Sequence, residues 1–156
     1  MIAPILIFAI GNESRGDDAL APLLARHLAV WLKENDLAGQ CEILEEYQLQ
    51  VEHALDLQHR RLILFIDAGM DTAAPFAFYP LKNNSSAQLY SHALTPEALI
   101  AVHAKLYPAT ELSAFVLCIK GESFELGDDL SELAKIYLQS ALEFTLDLLR
   151  RIKQST

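Results

Sequence analysis

Short apolar runs alternate with amphipathic stretches along this chain, which is the pattern of helices packed on a largely parallel sheet. Strands are predicted at Ile5 to Ile10, Cys41 to Glu45, Leu62 to Ile66, Phe76 to Leu81 and Ser113 to Ile119. After the first run, Leu20, Leu23, Leu24, Leu28 and Trp31 recur at helical spacing, with Pro22 early enough to be tolerated in the first turn. His27 shares that stripe and reads as a satisfied core residue. Val51 to Leu57 is a shorter helical stretch. Pro96 to Leu106 forms a helix behind Thr95 as N-cap, and Ser131 opens the last one, with Leu133, Ala134, Tyr137, Leu138, Ala141 and Leu142 on one face. The interval from Asp67 to Phe76 is too short for a parallel crossover, so the Phe76 strand is expected to run antiparallel.

Composition narrows this picture to one domain over residues 1–156, with 52% hydrophobic residues and only six Gly and six Pro. Subtracting 21 acidic from 12 basic residues leaves a net charge of −9, which disfavours nucleic acid and anionic membrane surfaces as partners. Two cysteines, Cys41 and Cys118, both inside apolar runs, cannot make a disulfide framework and fit a reducing cytoplasm. The N-terminal run IAPILIFAI is too short to span a bilayer, lacks the basic lead of a signal peptide, and is read as a buried strand.

Chemistry is expected where polar residues follow apolar strands, because ligands of open α/β sheets bind beyond the carboxyl ends of the strands. Two such places are GNESRGDD at 11 to 18 and Asp67 directly after RLILFI. The first loop lacks the G-x-G-x-x-G of a dinucleotide fingerprint and has Asn12 where the G-x-S-x-G of a nucleophile elbow needs Gly. Asp17 or Asp18 either presents a carboxylate to a cation or caps the following helix. Asp67 closes an apolar run, where a carboxylate is costly to desolvate unless something positive meets it; its plainer reading is a turn residue. His92, in YSHALTPE before the Thr95 cap, can reach the sheet edge, since about ten extended residues from Lys82 span roughly 33 Å. His53, His59 and His103 fall on helical or surface segments. Two carboxylates and one imidazole make a mixed oxygen and nitrogen site that suits nickel, zinc, cobalt or cadmium better than calcium.

Four separated motifs, GNESRGDDALAPLLARHL after the first strand, FIDAG, SHALTPE and KGESFELGDDLS, together resemble the nickel-iron hydrogenase maturation endopeptidases over nearly the whole chain. The R-G-D-D loop and QLQVEHALDL resemble the branch serving bidirectional NAD-linked hydrogenases. The resemblance implies a three-layer α/β/α sandwich on a mostly parallel twisted sheet of about five strands. It implies an endopeptidase that removes a C-terminal extension from the nickel-loaded precursor of the hydrogenase large subunit. Carried over by motif, the metal-binding residues are Asp18, Asp67 and His92, and a substrate-recognition carboxylate falls on Glu45 or Glu46. Some members carry Glu at the position of Asp18. Nickel comes with the precursor, and zinc or cadmium can stand in on the isolated protein. The competing readings are a nickel-sensing maturation chaperone without catalysis, and an unrelated small α/β hydrolase or regulatory domain whose acidic loop is only a helix cap.

Overall fold

The computed structural model describes residues 1–82 and 94–155. Five strands form one sheet in the order β2-β1-β3-β5-β4. They are β1 (Ile5–Ile10), β2 (Cys41–Glu46), β3 (Leu62–Gly69), β4 (Phe76–Leu81) and β5 (Ala114–Lys120). The first three and β5 are parallel, and β4 runs antiparallel to β5, as its short connection requires.

Because side chains alternate across a strand, the apolar runs supply two cores at once. On one face Ile5, Ile7, Leu64, Ile66, Leu117 and Ile119 meet α1 (Leu20–Glu34) and α3 (Glu132–Gln154). On the other, Leu6, Phe8, Ile63, Phe65 and Val116 meet α2 (Pro96–Leu106) and a 3-10 turn at Val51–Leu55. These are the three layers expected. Caps start two of the helices: Thr95 Oγ1 accepts from Ala98 N at 3.1 Å, and Ser131 Oγ from Ala134 N at 3.2 Å. Among the described residues no helix is long and apolar enough to cross a membrane.

Three local expectations are corrected. The stripe of α1 is Leu20, Leu24, Leu28 and Leu32 with Ala21 and Ala25, and His27 lies about 100° of helical rotation from Leu28, exposed to solvent. Val51 to Leu57 closes only the 3-10 turn. β3 runs on past Ile66 to Gly69, because its backbone ladder with β5 continues through Asp67↔Cys118 to Gly69↔Lys120 whatever the side chains are.

Candidate active site

The pairing of β1 with β3 ends at Ala9↔Ile66. One residue later Asp67 still pairs with β5, while on the other side β1 reaches its last residue, Ile10, and turns into the loop at Gly11. The chain passes from β1 outward to β2 and only then back across to β3 on the other side of β1, so a crevice opens here between β1 and β3, at the switch point of the sheet. Asp18 and Asp67 both line it, in a cleft of about 570 Å³ walled by Ile10, Tyr47, Gln48, Met70, Leu94 and Phe124.

The loop after β1 is folded tightly enough to bring Asp18 to this cleft. A Cβ on Gly11 would stand 2.0 Å from the Asp18 carbonyl oxygen, so only glycine admits this approach. Asp18 Oδ2 accepts from Asn12 N at 2.7 Å, and Asp18 N donates to the Arg15 carbonyl at 3.0 Å within a 3-10 turn at Gly16–Ala19. Neither aspartate caps a helix: Arg15 and Ala19 occupy the N-cap positions of the 3-10 turn and of α1, without side-chain caps. The neighbours instead part. Asp18 faces the cleft, and Asp17 is fully buried on the other side of the loop.

Asp67 Oδ1 accepts from Ala68 N at 2.8 Å. Burial pushes its carboxyl up to about 7, the charge of Asp18 adds to the rise, and the Ala68 N–H opposes it. Burial also raises Asp18, while the Asn12 N–H and the Arg15 guanidinium favour its anion. The charge of Asp18 thus helps Asp67 to hold its proton. Two carboxylates confined this way are chemically suited to a divalent cation, which would relieve both the repulsion and the desolvation.

Among the described residues no three His, Cys, Asp or Glu side chains come together as a metal site. Asp18 and Asp67 make two, and His92, the third expected, lies outside the described residues. The described chain resumes at Leu94, which lines the same cleft and bridges to Leu49.

Glu45 and Glu46 end β2, exposed, on a second depression of about 600 Å³ that shares Tyr47 and Gln48 with the first. Glu45 pairs with Arg26 at 3.2 Å, and Arg26 also contacts Glu13; Glu46 lies 3.7 Å from His53 Nε2. Of the remaining histidines, His103 is buried against Gln58 at 3.1 Å. Burial lifts the Cys41 thiol to about 12 and raises that of Cys118 as well, although Cys118 is only partly buried. The sequence reading missed Phe124, Tyr47 and Met70 as cleft walls and missed the part Asp17 plays; all of these depend on segments that meet only in the fold.

No protein-family model matches the chain, and no curated protein does. Solved structures do. The [NiFe] hydrogenase maturation protease HycI from Thermococcus kodakarensis superposes with a TM-score of 0.68 at 21% identity, covering 95% of this chain and 93% of that one. This chain has the maturation-protease fold. The hydrogenase maturating endopeptidase HybD from E. coli matches equally, with a TM-score of 0.68, 22% identity, and 94% and 92% of the two chains covered. HybD from Thermococcus kodakarensis shares the same fold at a TM-score of 0.64 and 22% identity over 92% of this chain and 97% of its own.

Proposed function

We propose that this protein is an endopeptidase that removes the C-terminal extension from the nickel-loaded large-subunit precursor of a nickel-iron hydrogenase. The observation that carries the reading is the pair Asp18 and Asp67, brought to one cleft at the switch point of a sheet whose fold is shared end to end with hydrogenase maturation proteases. The precursor's nickel is part of the substrate. Asp18 and Asp67 meet it, and His92, carried over by the SHALTPE motif and set two residues before the cleft-lining Leu94, completes the ligand set. Asp67 gives up its proton as the cation docks, since the positive charge offsets the burial and the Asp18 repulsion that hold the proton there.

The protein's own side chains supply no activated thiol: both cysteines hold their protons at neutral pH. Hydrolysis is accordingly assigned to water assisted at the metal held between the two carboxylates and His92. Glu45 and Glu46, on the depression adjoining the cleft, are assigned to recognition of the precursor. Zinc and cadmium are expected to bind the isolated protein at the same residues. Intact-mass measurement of nickel-loaded precursor after incubation with the protein tests the reading: a single cut near the C-terminus is expected, and an unchanged mass would point instead to a chaperone that only senses nickel.

A further inference from the structure

We propose that Asp17 is a positioning residue for the cleft. Its buried carboxylate ties segment 121–131 to the loop that carries Asp18, and so fixes Asp18 and the Phe124 wall relative to each other. The catalytic meaning of this tie rests on the proposed role of Asp18; the tie itself does not.

Asp17 is 0% exposed, yet no Lys, Arg or His among the described residues pairs with it. A buried carboxylate without a counter-ion must be met by hydrogen bonds or give up its charge. Here Oδ2 accepts from Glu122 N at 2.7 Å, from Ser123 N at 3.2 Å and from Ser131 Oγ at 2.7 Å, while Oδ1 accepts from Ser131 N at 2.7 Å. Burial acts to raise the carboxyl, and these four donors outweigh it, holding Asp17 below the usual carboxylate range. The Asp17 N–H in turn donates to the Ser123 carbonyl at 2.7 Å, and Gly127 N donates to the Ser14 carbonyl at 2.7 Å, so the two segments are stitched at three points.

The location of the tie gives it more than a fold-holding part. Asp18 is the next residue, and Phe124 follows Ser123 directly; both line the cleft. A Cβ on Gly121 would lie 3.0 Å from Asp17 Cβ and 2.6 Å from Phe124 Cζ, so clamp and cleft wall are packed together without a gap. Asp17 thus acts on the site through Asp18 and Phe124 and touches no substrate itself.

Asp17→Asn tests this. The amide keeps the size but turns one acceptor into a donor, and either orientation sets it against an N–H it cannot accept from. The metal-free readout is hydrogen exchange at the Asn12 amide, whose acceptor is Asp18 Oδ2 at 2.7 Å. Asn12 is expected to exchange about 10-fold faster in Asp17→Asn while the β3 amides of Leu64 and Phe65 stay within about twofold of wild type. The second readout is titration with nickel ions alone. Affinity is expected to fall about 10-fold or more in Asp17→Asn, as for other groups that orient a ligand, and to change less than about twofold when Asp18 is already Ala. Unchanged exchange at Asn12, or the same affinity loss in both backgrounds, would overturn the proposal. A wild-type protein that binds no nickel contradicts the metal reading of Asp18, while Asn12 exchange still decides the tie. If Asp17→Asn does not fold, Ser131→Ala, which removes one of the four donors, must shift Asn12 in the same direction or the proposal fails.

Discussion

Asp18 and Asp67, 49 positions apart in the chain, line one cleft, and the charge of the first helps to keep the proton on the second. Asp18 arrives from the loop after β1, held by Asn12, while Asp67 stands inside β3 one residue beyond that strand's pairing with β1. Burial first, and the Asp18 charge in addition, push the carboxyl of Asp67 up to about 7.

A first prediction follows from the sign of that shift. The folded state holds the Asp67 proton more tightly than the unfolded chain, whose aspartate value is about 3.9. The stabilisation is complete below about pH 4 and is lost as pH rises through about 7. Between those limits wild type is expected to lose a few kcal/mol, on the order of the linked shift, relative to Asp67→Asn. Thermal melts of both proteins from pH 4 to pH 8 measure it, and parallel curves would contradict the assignment of the raised carboxyl to Asp67.

Nickel binding should show the opposite slope. A bound cation competes with the Asp67 proton and with the proton of His92, whose reference value is about 6.5, so affinity weakens as pH falls from about 8 to 5.5. His92→Ala should lower affinity at pH 8 by about 10-fold or more and flatten the lower part of the curve. Titration calorimetry checks both, and a pH-independent affinity counts against these ligands.

Gly11→Ala probes the fold of the loop. The added methyl meets the Asp18 carbonyl oxygen at 2.0 Å and Pro22 Cδ at 3.2 Å, so the backbone must move. Urea unfolding is expected to show a loss of about 1 to 3 kcal/mol, the usual cost of overpacking, together with weaker nickel binding. A variant as stable as wild type and binding nickel as tightly would mean that the close approach of the loop is not needed.

Much of this arrangement is legible in the sequence because it is local. Thr95 and Ser131 announce their helices as caps, the short Asp67 to Phe76 interval forces β4 antiparallel, and the strand runs are apolar on both faces. Asp67 looks like the end of a strand because its side chain is charged, yet the ladder with Cys118 depends on backbone alone. Asp17 and Asp18 are indistinguishable as letters; only the packing of segment 121–131 sends one inward to four donors and leaves the other facing the cleft. Spacing alone places His27 in the core stripe, but Leu28 and Leu32 already fill it and His27 is exposed.

The cysteines provide a separate check. Cys41, with its thiol lifted to about 12 by burial, and Cys118, also raised, should react with iodoacetamide far more slowly than a free thiol at pH 8. Processing of precursor should survive such treatment; complete inactivation matched to modification of one cysteine would place a thiol in the chemistry.

Dependence of cleavage on the precursor's nickel and on Asp67 is decided by comparing intact masses of nickel-loaded and nickel-free large-subunit precursor after incubation with wild type and with Asp67→Ala. Loss of the C-terminal extension is expected only from nickel-loaded precursor and only with wild type, with Asp67→Ala folded but at least 100-fold slower, since it loses one of three ligands where even an orienting group is worth about 10 to 100-fold. Full cleavage of nickel-free precursor by wild type, or undiminished cleavage by Asp67→Ala, would contradict that dependence.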